Sequence, residues 1–145
     1  MSEDREPSTR LVGSWRLVSV QLEMADTAER IDLLGSNPTG RLTLTRGGGW
    51  MTILTATDRR PATDHASVAA LFESMMAYSG KFRIEGDDRI IVSVDLSWHP
   101  AWIGTEQVRF FKIEGDRLSI RSGLQTHPAR PGKSVYGVIG WQREP

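Results

Sequence analysis

The stretch TEQVRFFKIEGDRLSI, residues 105–120, decides the fold. Successive side chains on a strand point to opposite faces. Gln107, Arg109, Phe111 and Ile113 therefore share one face, and Glu106, Val108, Phe110 and Lys112 the other. Glu114, Gly115 and Asp116 then interrupt the alternation, and Leu118 and Ile120 resume it. A Gly/Asp turn between two alternating runs is a hairpin signal, because the turn needs a positive φ that glycine adopts without strain. The chain states the pattern twice. In FRIEGDDRIIV, residues 82–92, Phe82 matches Phe111, Ile84 matches Ile113, and Glu-Gly-Asp again supplies the turn. Two hairpins follow end to end, 78–85 with 89–97 and 106–114 with 117–123. The echo is too short for a solenoid repeat.

Outward from these hairpins, period-two alternation continues. SWRLVSVQLEM (14–24), RLTLT (41–45), WMTILTA (50–56) and SVYGVIGWQR (134–143) read as further strands, separated by Gly- and Pro-bearing turns. One segment departs from the pattern. In DHASVAALFESMMAY the apolar residues Val68, Leu71, Phe72, Met75 and Met76 fall at helical spacing, with Asp64 or Thr63 placed to cap the start. The expectation is an all-β fold: an eight-stranded up-and-down antiparallel β-barrel, with one short α-helix between the third and fourth long strands. Closure protects sheet edges, and consecutive hairpins give this order directly. A two-sheet sandwich is the alternative.

The 145 residues suffice for one domain, 11–145, preceded by a polar stretch, 1–10, read as a flexible tail. The charged residues balance to a formal net charge of zero, which argues against a nucleic-acid or membrane-surface binder. No cysteine is present, so disulfide and thiol chemistry are excluded. No apolar h-region or membrane-length run is visible, and a cytoplasmic location is the expectation.

Several pieces carry a family resemblance. LVGSWRLVSV, with Gly13, Ser14 and Trp15, resembles the Gly-x-Trp opening of lipocalins. NPTGRLTLT, YSGKFRIEGD and HPAWIGTEQVRFFKIEGDRL, with a Trp-Gln-Arg ending, resemble the bacterial and fungal lipocalin-like domain proteins. The block from Trp102 to Arg109 is the most specific part. The resemblance implies a small barrel with an interior cavity. Relatives in the broader class include carriers and also cofactor-free cyclases and isomerases. One departure matters. Where members often carry a histidine in the strand before the Trp-Gly block, this chain has Ile91 and Val92, which puts imidazole chemistry there in doubt.

Arg109 is the leading functional candidate. A guanidinium facing a core keeps its charge and demands an oxygen-bearing partner, so it is suited to hold a ligand carboxylate, enolate or carbonyl. Gln107 shares its face, and Tyr78 shares a face with Phe82 and Ile84 as a hydrogen-bond donor or weak acid. Arg109, Tyr78 and Gln107 are the candidate catalytic set, with His99 a weaker acid or base beside Trp98. Trp50, Met75, Met76, Trp98, Trp102 and Phe111 are the candidate ligand walls, an aromatic and adaptable lining around few polar groups. Each has a plainer reading: Arg109 as a structural arginine satisfied by carbonyls, a carboxylate or a tryptophan face, Gln107 as a mouth residue touching water, His99 as a surface loop residue, and Tyr78 and the walls as core packing. Ile90, Val92, Val94, Leu96 and Trp98 are taken as inward and Asp95 as outward; the reverse would bury Asp95 towards Arg109. Trp15 is expected to plug one barrel end and Trp141 to lie near the closing seam.

His65, His99 and His127 show no metal-ligand spacing, and no cofactor motif is present. The expected partner is a small molecule. Three readings remain open: a ligand-binding barrel, a cofactor-independent cyclase or isomerase acting on a natural-product intermediate, and a structural module with a filled core. An unclosed edge between first and last strands would let two chains pair.

Overall fold

A computed structural model describes residues 7–127 and 130–145. Ten antiparallel strands run in chain order: β1 (Gly13–Met24), β2 (Arg30–Asp32), β3 (Thr39–Leu44), β4 (Gly49–Thr55), β5 (Met75–Glu85), β6 (Arg89–Ser97), β7 (Glu106–Glu114), β8 (Arg117–Ser122), β9 (Gln125–Thr126) and β10 (Ser134–Arg143). Eight are long. β3 to β8 pair in sequence, β8 pairs with β10, and β1 pairs with both β3 and β10. The sheet thus closes into an eight-stranded antiparallel barrel, which disposes of the sandwich. It also removes the open edge expected between the first and last strands: Trp15 to Met24 lie against Val135 to Arg143. The argument for a homodimer through that edge goes with it. β2 and β9 are short additions to β1 and β10.

The two echoed hairpins form as the alternation predicts, and Gly86 and Gly115 take the positive φ of +70° and +60° that their turns require. These turns and the β3–β4 turn lie at one end. There α1 (Pro7–Leu11) carries Leu11 into the core, and the Trp15 indole N–H donates to the Leu11 carbonyl at 3.0 Å. The Arg143 guanidinium stacks 4.1 Å from the Trp15 ring centroid and donates to the Val12 and Arg10 carbonyls. This end is a built floor. Of the expected tail, residues 1–6 lie outside the described residues, whereas Pro7 to Leu11 is a helical turn.

Two bulges reset the alternation. In β1, Trp15 and Leu17 face inward, then the register slips and Val20, Leu22 and Met24 do. The second lies between β5 and β6, where Ser79 faces Leu96 but Gly80 faces Val94, leaving Asp95 unpaired. A Cβ at Gly80 would sit 2.0 Å from the Ser93 carbonyl oxygen, so only glycine lets the strands approach this closely. The bulge corrects one expectation. Ile90, Val92 and Val94 face inward as read, but Leu96 is turned out, 66% exposed, and Ser97 comes in opposite Tyr78. Asp95 is outward as expected and accepts the Ser79 hydroxyl at 2.7 Å.

The helix α2 (His65–Glu73) is one turn shorter than its periodicity suggests. Asp64 caps it by accepting the Ser67 N–H, and Arg59 donates to the Leu71 carbonyl at its far end. Met75 and Met76 are therefore not helical. They open β5, paired with Thr55 and Leu54 of β4, because the ladder to β4 outweighs local helix periodicity. Met76 packs on the core and Met75 lies on the opposite face.

Candidate functional site

The connections carrying β2 and α2, and segment 98–105, gather at the end opposite the floor. Below them, the inner face of β7 presents Gln107, Arg109, Phe111 and Ile113, the face read from the sequence. Phe111 and Ile113 belong to the core, while Gln107 and Arg109 lie half-buried nearer the open end.

Arg109 donates Nη1 to the Val108 carbonyl at 2.9 Å and Nη2 to Gln107 Oε1 at 3.3 Å. Its guanidinium lies 5.9 Å from the Trp102 ring centroid, within cation–π range. Among the described residues it forms no ion pair, and the carboxylates on neighbouring strands face outward: Asp95 to Ser79, Glu106 to Arg83. Gln107 is held in turn. Its Nε2 donates to Thr105 Oγ1 at 2.9 Å, and that hydroxyl donates to the Trp102 carbonyl at 2.6 Å. A short polar chain thus ties the guanidinium to the loop that carries Trp102.

That loop is a single 3-10 turn, Pro100–Trp102, followed by Gly104 at φ +83°. It places Trp102 edge-on to Tyr78, with ring centroids 5.2 Å apart, and edge-on to Trp98 at 5.3 Å. Phe72 of α2 leans on Trp98 and His99, so the helix borders the rim; none of its residues is buried. Trp50 lies deeper than a mouth residue. It is 4% exposed, stands opposite Gly80, and contacts Tyr78 and Phe82. The indole N–H groups of Trp50, Trp98 and Trp141 are buried without a hydrogen-bond partner.

Tyr78 joins these pieces. Burial, at 6% exposure, pushes its phenol above the ordinary tyrosine range, and the Arg109 charge with the Trp50 and Arg109 N–H groups only partly opposes this. The Trp50 N–H points towards the Tyr78 oxygen without closing a hydrogen bond. The phenol therefore remains protonated. The geometry unites Arg109, Gln107, Tyr78, Trp50, Trp98, Trp102 and the buried Phe111. It sets His99 at the exposed rim, and of the two methionines only Met76 faces inward. Thr105 and Phe72 were not legible as site residues: Thr105 acts through a side-chain relay, and Phe72 looked like part of a buried helix stripe.

The rings fill the space beside Arg109. Open concavities among the described residues include two that lie away from it. One, of about 630 Å³, is lined by Arg16, Asn37, Thr39 and Arg41 among others, and one of about 650 Å³ by Thr9, Arg46 and Phe82 among others. Among the described residues no group of histidines and carboxylates is placed to hold a metal, and no helix is long and apolar enough to cross a membrane.

A family model for the lipocalin-like domain matches residues 12–144. The chain belongs to the lipocalin-like domain family. A 4'-hydroxy-3'-methoxypropiophenone carrier protein from Aspergillus oryzae is 30% identical over 86 residues, covering 54% of this chain and 75% of that protein. A redesigned β-barrel of known structure is also similar, at 13% identity and a TM-score of 0.45, covering 99% of this chain and 100% of that one. That likeness is too loose to bear on function.

Proposed function

We propose that this lipocalin-like barrel handles a small, partly apolar, oxygen-bearing molecule, held at its open end. One observation carries the reading: a half-buried guanidinium, without a carboxylate partner, stands among aromatic rings. Two carbonyl oxygens and the Trp102 face meet part of it, but among the described residues no carboxylate neutralises it and N–H groups remain for a guest's oxygen. The rings of Trp50, Tyr78, Trp98 and Trp102 suit a planar guest, whose body would take the place of the Trp102 ring over Arg109. Entry then requires the 98–105 loop to swing between its backbone ties to β5 and β6, at Ala77 and Val94, with Gly104 free to change φ without strain. The molecule for which the Aspergillus relative is named a carrier, an aryl ketone, is a guest of this kind.

A cofactor-independent isomerase or cyclase is the second reading, favoured by a protonated Tyr78 beside Arg109, a pair suited to stabilising an enolate. It lacks a base: His99 is exposed at the rim, and the described carboxylates near the site face outward. The carrier reading is therefore preferred. The packed rings favour a structural module, which accounts for Arg109 as a cation satisfied by two carbonyl oxygens and the Trp102 face but gives no use to its remaining N–H groups.

Native mass spectrometry of freshly purified protein should reveal a co-purifying small molecule, and an aryl ketone should quench tryptophan fluorescence saturably. Arg109→Ala should weaken binding by about ten- to a hundredfold, the loss of a charge-assisted hydrogen bond. Turnover at saturating ligand, lost in the same variant, would select the enzyme reading. No co-purifying molecule and no saturable aryl-ketone binding would contradict both.

A further inference from the structure

The site is rich in donors and poor in acceptors. Arg109 has five N–H groups, of which one meets the Val108 carbonyl and one the Gln107 amide oxygen. The amide of Gln107 is spent on both sides, by Arg109 and by Thr105, whose own hydroxyl is given to the Trp102 carbonyl. Trp50 adds a fully buried indole N–H with no partner, and Trp98 a second at the rim. Against these donors, the Tyr78 oxygen is the one side-chain acceptor left in the cluster described above.

The charge count points the same way. Tyr78 on β5 is the titratable side chain that faces Arg109, and it is neutral. β6 brings Ile90 opposite Arg109, and β8 brings Ser122. β7 contributes Gln107, and the rim loop contributes His99, which is exposed and turned towards Phe72 and Trp98. The site therefore carries one uncompensated positive charge within apolar walls, where a counter-charge is worth far more than in water.

Resting on the ligand-binding reading above, we infer that the site takes its guest as an anion: it binds the deprotonated form of a weakly acidic phenol or enol in preference to the neutral molecule. A neutral hydroxyl would have to donate, and the site gives it almost nothing to donate to. The same oxygen without its proton meets a guanidinium and an indole N–H. The proton is released to solvent on binding. The raised position of Tyr78 keeps that phenol from competing for the negative charge.

The test uses the full chain with 4-nitrophenol and its methyl ether, 4-nitroanisole, which share a ring and differ in the ionisable group. Absorbance reports the phenolate directly, and tryptophan fluorescence reports binding of both. The bound nitrophenol should lose its proton about one pH unit or more below the free compound, a tenfold preference for the anion. Its affinity should rise with pH through the free titration and then level off, while that of nitroanisole stays flat. Arg109→Gln should bind both compounds and abolish the shift, and Trp50→Phe should lose part of it. Binding of both compounds with no shift, or a shift that survives Arg109→Gln, would overturn this inference and leave the ligand-binding reading standing. If neither compound binds the unaltered protein, this inference fails, and the ligand-binding reading stands or falls on the aryl-ketone titration above. If Arg109→Gln does not fold, the contrast between the two compounds on the unaltered protein decides the matter.

Discussion

Tyr78 and Arg109 are each placed by one strand and constrained by another. Tyr78 is set by the β4–β5 ladder opposite Thr52, and the bulge beyond it turns Ser97 inward. Its hydroxyl makes no close hydrogen bond among the described residues, and the Trp50 and Arg109 N–H groups act on it only from a distance, so the fold leans little on it. Tyr78→Phe should therefore keep the melting temperature within about 3 °C, while weakening an oxygen-bearing ligand by up to about tenfold. Thermal unfolding and fluorescence titration of the same preparation separate the two effects. At this scale the sequence was informative where alternation ran unbroken. Arg109 could be placed inside because Phe111 and Ile113 share its parity. Leu96 could not, because a single unpaired residue, Asp95, inverts every side chain after it and leaves no compositional mark. Thr105 was invisible for another reason: its role is to join Gln107 to the Trp102 carbonyl, which no pattern of residue types encodes.

Among the elements, β2 shows how charge holds an addition to the barrel. Glu23 on β1 binds Arg30 of β2 at 2.9 Å and Arg121 of β8 at 3.2 Å. Partial burial pushes its carboxyl up, but the hydrogen bonds and charges of the two arginines outweigh this and hold it below the ordinary glutamate value. A lowered folded-state value means that the contribution is present above the unfolded-state value and is lost as pH falls through the folded one. Glu23→Gln should thus cost up to about 1 kcal/mol at neutral pH, discounted for the exposed arginines, and nothing in acid. Thermal melts across the acid range should show the two proteins converging as pH falls. A constant gap would place the effect in packing. The elements also show where periodicity misleads. Met75 and Met76 continue the helical spacing of α2, yet they pair with Thr55 and Leu54. Local spacing counts neighbours four residues away, whereas the ladder that won joins residues about twenty apart in the chain.

For the whole molecule, the hairpin order made a barrel legible, because sequential antiparallel neighbours need only short turns. The register of closure was not legible. The pairing of β1 with β10 joins the two ends of the chain through more than a hundred intervening residues, and no local signal fixes that register. Nor was it legible that aromatic rings would occupy the lumen beside Arg109, since period-two patterning tells which side chains point inward and not how much space they leave. Places to compare among the described residues include the ring-lined interior beside Arg109, the groove beside Arg16 and Arg41, and the groove beside Arg46 and Phe82. Titration of isotope-labelled protein with 4'-hydroxy-3'-methoxypropiophenone, followed by NMR, separates them in one experiment. Binding at the interior site should give saturable shifts at the Arg109 Nε–H and at the indole N–H groups of Trp50, Trp98 and Trp102, with Arg16, Arg41 and Arg46 unmoved. Shifts confined to the outer arginines, with the interior indoles silent, would contradict it.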